Sequence, residues 1–261
     1  MFFKKWRRRA LLARPFPEAW LKILEDKVPY FQVLPEEDKL ELKGHITIFL
    51  AEKHFEGAGG LKLTEEMKIV VAAQACILLL HRKTDYYPTL SSIVIYPSSY
   101  RAPNTTVLPG GVVADDPQAR LGESWGMGVV ILAWDNVLES AHNIHDGRNL
   151  VFHEFAHQLD EEDGTANGRP VLKLKTQYAD WAKVLSGEFQ NLQELSEEHK
   201  KTLIDPYGAT NPAEFFAVIT ETFFEKPIQL QRKHPQLYRQ LQLFYQQDPA
   251  NLFTDYSPSI A

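Results

Sequence analysis

The chain has 261 residues, 44% of them hydrophobic, enough for a substantial core in one large domain or two small ones. Its formal net charge of -6 gives no electrostatic case for direct nucleic-acid binding. The single cysteine, Cys76, excludes an intrachain disulfide and cysteine-based metal motifs, and fits a reducing compartment.

The chain opens on a basic run, Lys4, Lys5, Arg7, Arg8 and Arg9, with only Ala10 to Ala13 before Arg14 and Pro15. That apolar stretch is too short for a secretory signal, so a cytoplasmic protein is expected. The run is a candidate for contact with anionic lipid or nucleic acid, though such a tail is more often simply solvated. Helices are predicted over 17–26 and 35–52 and, after the loop Gly57-Ala58-Gly59-Gly60, over 65–81. The apolar run 69–80 around Cys76 is too short to span a bilayer and reads as a buried helix. Strands are predicted at 93–96 and 129–133. The second has a glycine-rich entry, Gly126 and Gly128, and is either a core strand or an edge able to pair with an extended peptide. Trp125 and Trp134 either line a pocket beside it or simply pack. Between the strands, 97–122 is irregular, with Pro103, Pro109, Gly110, Gly111 and Pro117, and a segment of that length is usually functional or mobile. A helix follows, starting between Asn143 and Asn149, and Asp163-Gly164 ends the turn after it. Further helices are predicted over 176–186, 212–225 and 235–246. The order reads as α+β: mostly helical, with a small mixed sheet between a helical N-terminal part and the helices that carry the chemistry.

The helix after the second strand contains His153-Glu154-Phe155-Ala156-His157, in a stretch free of Gly and Pro. Residues four apart share a helical face, so both imidazoles can reach one cation while Glu154 stands beside it. Two histidines with an adjacent carboxylate is the layout of a hydrolytic zinc site. Read alone, the motif also fits a half-buried helix whose histidines bond to carboxylates or backbone. A catalytic zinc needs a third protein ligand and an open position. Asn211 as N-cap and Pro212 at the first helical position start a later apolar helix, with Glu214 in its first turn. Glu221, seven residues on and on the same face, is the competing ligand, and Glu225 a weaker one. Asn211 and Glu214 are also spaced as a capping box, in which Glu214 would return to the Asn211 amide. Asp160 and Glu221 are candidates to orient the imidazoles through their second ring nitrogens.

Three blocks together resemble the Mlc titration factor A family of bacterial metallopeptidases, whose catalytic region is similar to that of anthrax lethal factor. They are His153 to Asp160, Tyr207 to Ala217 and Leu243 to Pro249, and the strand-like Ile93 to Pro97 agrees with them. The resemblance implies a zincin-like, gluzincin-type core in a single domain over 1–261, with 1–85 a helical part and 86–261 the catalytic core. It implies His153, His157 and Glu214 as ligands of one Zn2+ per chain, Glu154 as the catalytic carboxylate and Tyr207 as a transition-state stabiliser. From the residues alone Tyr207 reads as an exposed loop tyrosine. The expected reaction is peptide hydrolysis, with aminopeptidase action among the options: Glu154 accepts the attacking water's proton and delivers it to the leaving amine. The resemblance links this peptidase to regulation of glucose uptake through a transcriptional repressor, and it carries as the alternative a non-catalytic protein that sequesters a repressor of the Mlc type.

Overall fold

Three helices of this protein begin alike, on a polar side chain that accepts the N–H three residues on. Thr64 receives Met67, Asn149 receives Phe152 and Asn211 receives Glu214. Each cap satisfies a donor that helix geometry leaves without an intrahelical partner. The computed structural model describes residues 2–98 and 128–255. In chain order the helices are α1 (Phe2–Leu12), α2 (Glu18–Lys27), α3 (Pro29–Val33), α4 (Glu36–Glu52), α5 (Glu65–Ile77), α6 (Trp134–His142), α7 (Leu150–Asp160), α8 (Gln177–Glu197), α9 (Pro212–Glu225), α10 (Pro227–Lys233), α11 (Pro235–Tyr245) and α12 (Pro249–Asp255). Strands β1 (His54–Gly57), β2 (Ser92–Tyr96) and β3 (Val129–Ala133) form one sheet in the order β1-β2-β3.

The α+β reading holds, but the sheet is not mixed: both described strand pairs are parallel, with His54 opposite Ser92 and Ser92 opposite Val129. A parallel pair needs a crossover, and α5 supplies it between β1 and β2. Alternate residues of β2 and β3, Ile93, Ile95, Val130 and Leu132, are buried against the helices.

Several elements differ from their predicted bounds for identifiable reasons. α8 continues eleven residues past the predicted end at 186, running through Gly187 without a break. α5 stops at Ile77, and the chain turns before His81, whose φ of 64° is left-handed. The basic run is helical, as α1. β1, α3, α6, α10 and α12 were not predicted. Trp134 opens α6 and packs, half-buried, on the core. Trp125, Gly126 and all of 97–122 except Pro97 and Ser98 lie outside the described residues. Among the described residues no helix is long and apolar enough to cross a membrane.

α7 and α9 cross at the centre of the core. α9 is buried on every side from Ala213 to Glu225, its polar side chains included. Phe152 of α7 meets Phe224 of α9 at 5.2 Å between ring centroids. Phe155, on α7, stacks edge-on with Tyr87 at 4.8 Å and ties the helix to the N-terminal half. The polar members of α9 are matched: Thr220 Oγ1 donates to the Phe216 carbonyl and shares a hydrogen bond with the Tyr245 hydroxyl. Glu225 fastens the end of α9 to the turn before α7. Its carboxyl accepts the Gly147 and Arg148 N–H groups at 3.0 and 2.9 Å and the Asn149 side-chain amide at 3.1 Å. The turn after α7 is equally pinned: the Gly168 N–H reaches Asp160 Oδ2 at 2.6 Å and its carbonyl accepts Trp181 Nε1 at 3.1 Å.

Gly168 has φ +72° and would bring an added Cβ to 2.3 Å from the Pro212 carbonyl oxygen, at the start of α9. Gly168→Ala is expected to destabilise the protein by about 3 kcal/mol, read as a lower urea midpoint; an unchanged midpoint would show that the turn relaxes freely. Glu225 generates a pH prediction. Burial, with Asp146 and Glu221 nearby, outweighs its hydrogen bonds and pushes its pKa up from 4.5 to about 10. The folded protein therefore keeps a proton that the unfolded chain releases. This stability is fully present below about 4.5 and is lost as pH rises towards about 10. Glu225→Gln should gain on the wild type through that window, by at most about 1.4 kcal/mol per pH unit in urea unfolding. Parallel pH profiles would place no proton on Glu225.

Candidate metal centre

α7 is a helix because Asn149 caps it, nothing in it breaks it, and Val151, Phe152, Phe155, Ala156 and Leu159 give it an apolar side for the core. That packing fixes the opposite edge, where His153 and His157 stand one turn apart with ring centroids 4.9 Å apart. α9 lies across this edge, and the Asn211-Pro212 start puts Glu214 in its first turn, buried and facing the imidazoles. His153 Nε2 is 3.0 Å from Glu214 Oε2 and 3.2 Å from His157 Nε2, and His157 Nε2 is 3.5 Å from Glu214 Oε2. The three residues form a group able to hold a metal ion.

The donor set fits a metal. Two imidazole lone pairs and a carboxylate oxygen repel one another unless a cation lies between them. Bonds of about 2.0–2.1 Å in a tetrahedron put ligand atoms about 3.3 Å apart, and the three separations here run from 3.0 to 3.5 Å. Without an ion, a proton takes that place. Burial opposes charge on His153, yet the hydrogen bonds with Glu214 and Glu221 outweigh it and hold its pKa well above the usual value. His157 goes the other way, lowered to about 4 by burial and by the charge on His153. Burial raises Glu214, but hydrogen bonds from both histidines bring it down to about 2. The trio thus holds one positive charge against one negative charge, in a fully convergent arrangement.

The two competing carboxylates are separated by geometry. Glu214 faces both Nε2 atoms, while Glu221 sits behind His153, with Oε1 2.8 Å from Nδ1. With a metal bound, a hydrogen bond there would fix the tautomer that leaves Nε2 free to ligate. Glu221 Oε2 also accepts the Asn149 N–H at 2.5 Å, joining the ligand helix to its own cap. The capping box is only half made: Asn211 receives Glu214 N–H at 2.9 Å, but the Glu214 side chain turns to the histidines. Asp160, a candidate to orient an imidazole, instead hydrogen-bonds the Gly168 amide. Burial raises its pKa to about 6.

His153, Glu154, Glu214 and Tyr207 line one cavity of about 500 Å³, together with Glu139 and Asp146. Glu154 is buried, next to His153 and on the cavity side. Tyr207 is half-buried, its ring 6.1 Å from that of His153. Sequence reasoning missed what holds Tyr207. Asp205 caps its 3-10 turn, Pro206–Ala209, by accepting the Tyr207 N–H at 3.0 Å. Its other oxygen is gripped by Arg148 through Nε and Nη2, at 3.1 and 2.7 Å. The signal was present: Asp205-Pro206 is the same cap-then-proline pair as Asn211-Pro212.

Comparison with known proteins agrees with this geometry. The family described as glucose-regulated metallo-peptidase M90 matches residues 3–246. Uncharacterized protein slr2042 of Synechocystis is 43% identical over 245 residues, covering 94% of this chain and 89% of the relative. Mlc titration factor A of Serratia proteamaculans is 32% identical over 227 residues, 85% of each chain, and its Escherichia coli counterpart 30% identical over 225 residues, 85% of this chain and 84% of the relative. The match spans α7, the Tyr207 turn and α9, and the chain belongs to the glucose-regulated metallo-peptidase M90 family, with Mlc titration factor A among its relatives.

Proposed function

We propose that this protein is a zinc-dependent peptidase with a zincin-like core in one domain. The observation that carries this reading is the convergence of His153 Nε2, His157 Nε2 and Glu214 Oε2 within 3.5 Å of one another. In this reading those three residues hold one Zn2+ per chain, and Glu221 orients His153. Bound there, zinc supplies a water whose pKa falls to about 7 and a positive charge beside the scissile carbonyl. Glu154 takes the attacking water's proton and returns it to the leaving amine. Tyr207 donates its hydroxyl hydrogen to the carbonyl oxygen as negative charge gathers on it, and Asp205, held by Arg148, anchors the Tyr207 backbone. Two acids beyond this set, Glu139 and Asp146, make the cavity favourable to an ammonium group, which supports cleavage at a peptide's amino terminus. β3 is the last strand of the sheet among the described residues, with an edge suited to an extended substrate. The lone buried thiol, Cys76, agrees with a cytoplasmic setting.

The Mlc titration factor A relatives support a partner of the same kind, a Mlc-type transcriptional repressor, and through it a link to glucose uptake. The competing reading is a binder of that repressor that does no catalysis. An arrangement of ligands, base and hydroxyl in one cavity favours retained catalysis, since sequestration alone has no physical need of it.

Glu154→Gln keeps all three ligands and is expected to retain one zinc per chain while losing cleavage of short peptides by at least about 100-fold. Metal analysis alongside a peptide-library digest checks this, and undiminished cleavage removes Glu154 from the mechanism. If the same variant still binds a Mlc-type repressor, the binding and catalytic roles are separable. Glu221→Ala leaves the ligand set intact but frees His153 to rotate, so zinc affinity should fall about 10–100-fold in a chelator competition; an unchanged affinity denies Glu221 its orienting role.

A further inference from the structure

Helix α1 is built inside out. Its inner side, against the body of the protein, is charged. Arg8 donates through Nε and Nη2 to both Glu52 oxygens, at 2.8 and 2.7 Å, and its guanidinium lies over the Tyr86 ring at 4.5 Å. Lys4 reaches Asp85 at 2.9 Å, and Arg7 donates to the Ala51 carbonyl at 2.9 Å. Its outer side is apolar. Phe3 and Trp6 are 89% and 72% exposed, and Ala10 and Ala13 continue the same stripe at helical spacing, exposed as well. A surface helix ordinarily turns such a stripe inward. Here the ion pairs hold it outward.

Charge accompanies the stripe. Lys5 and Arg9, one turn apart, flank it in the open, and Arg14 follows beyond the helix. Residues 1–17 hold six basic side chains, Lys4, Lys5, Arg7, Arg8, Arg9 and Arg14, and no acidic one. Glu52 and Asp85 neutralise two, which leaves four positive charges at one corner of a chain whose net charge is -6. We propose that the outer face of α1 docks on an anionic lipid surface, with Phe3 and Trp6 in the headgroup layer and Lys5, Arg9 and Arg14 on the lipid charges. Exposed aromatic rings between solvent-facing cations match the lipid interface. A nucleic-acid contact would put the cations foremost and leave the aromatic pair unused, and two copies pairing through this face would oppose like charges. The inference is independent of the peptidase reading.

The test is sedimentation of the full chain with vesicles of phosphatidylcholine alone or with about one third phosphatidylglycerol, at low and high salt. Two variants accompany the wild type, Phe3→Ser with Trp6→Ser, and Lys5→Glu with Arg9→Glu. All four side chains are exposed, so unfolding midpoints should match the wild type. The wild type is expected to sediment with the anionic vesicles, with at least roughly tenfold weaker binding to neutral ones, at high salt and in either variant. The proposal is overturned if the wild type stays in the supernatant or if both variants bind as it does. It is equally overturned if a lipid-indifferent wild type binds an oligonucleotide, or forms a dimer that Phe3→Ser with Trp6→Ser dissolves.

Discussion

Three electron-pair donors crowded into a buried seam between two helices repel one another unless a positive charge, a proton or a metal ion, lies among them. In this protein α7 contributes two of the donors and α9 the third, and Phe152 and Phe224 pack the two helices together while Phe155 anchors α7 on Tyr87. The apolar core fixes the separation of the donors before any ion arrives. Much of what surrounds them answers the same electrostatic demand. Buried carboxylates are costly unless they are matched, and α9 carries three, Glu214, Glu221 and Glu225, at positions that fall along one side of the helix.

Each of the three carboxylates is matched by a different part of the segment that starts α7. Glu225 takes the amides of the turn, Glu221 takes the cap's amide and the back of His153, and Glu214 faces the front of both imidazoles. One helix thereby positions the approach, orientation and ligand end of the other. Arg148 adds a link on the outside, from the same turn to Asp205 and so to the tyrosine turn. Arg148, in the turn before α7, thus also restrains the backbone of the tyrosine turn.

What the sequence made legible follows from how local each determinant is. The bounds of α9 could be read directly, because a cap, a proline and an unbroken apolar run all lie within the helix itself. α7 was legible for the same reason, and His-Glu-x-x-His carried its chemistry with it. The choice between Glu214 and Glu221 was not legible from spacing, since two turns of helix separate them on one face and only the crossing of α7 decides which imidazole nitrogen each meets. Asp160 shows the converse: its place beside His157 along the helix was right, and the turn at Gly168 claimed its oxygen. The parallel run of the sheet depends on crossovers rather than on strand residues, and β1 is only four residues long. α1 read as a tail because its partners, Glu52 and Asp85, lie far along the chain.

His153 and Glu214 are 61 residues apart, with the whole of α8 between them. In the proposed zinc reading, a growing polypeptide displays both imidazoles well before the acid, and an ion met early has two of its three protein donors. A truncated product that stops short of α9 lacks the third donor, so completion of the centre is tied to near-completion of the polypeptide.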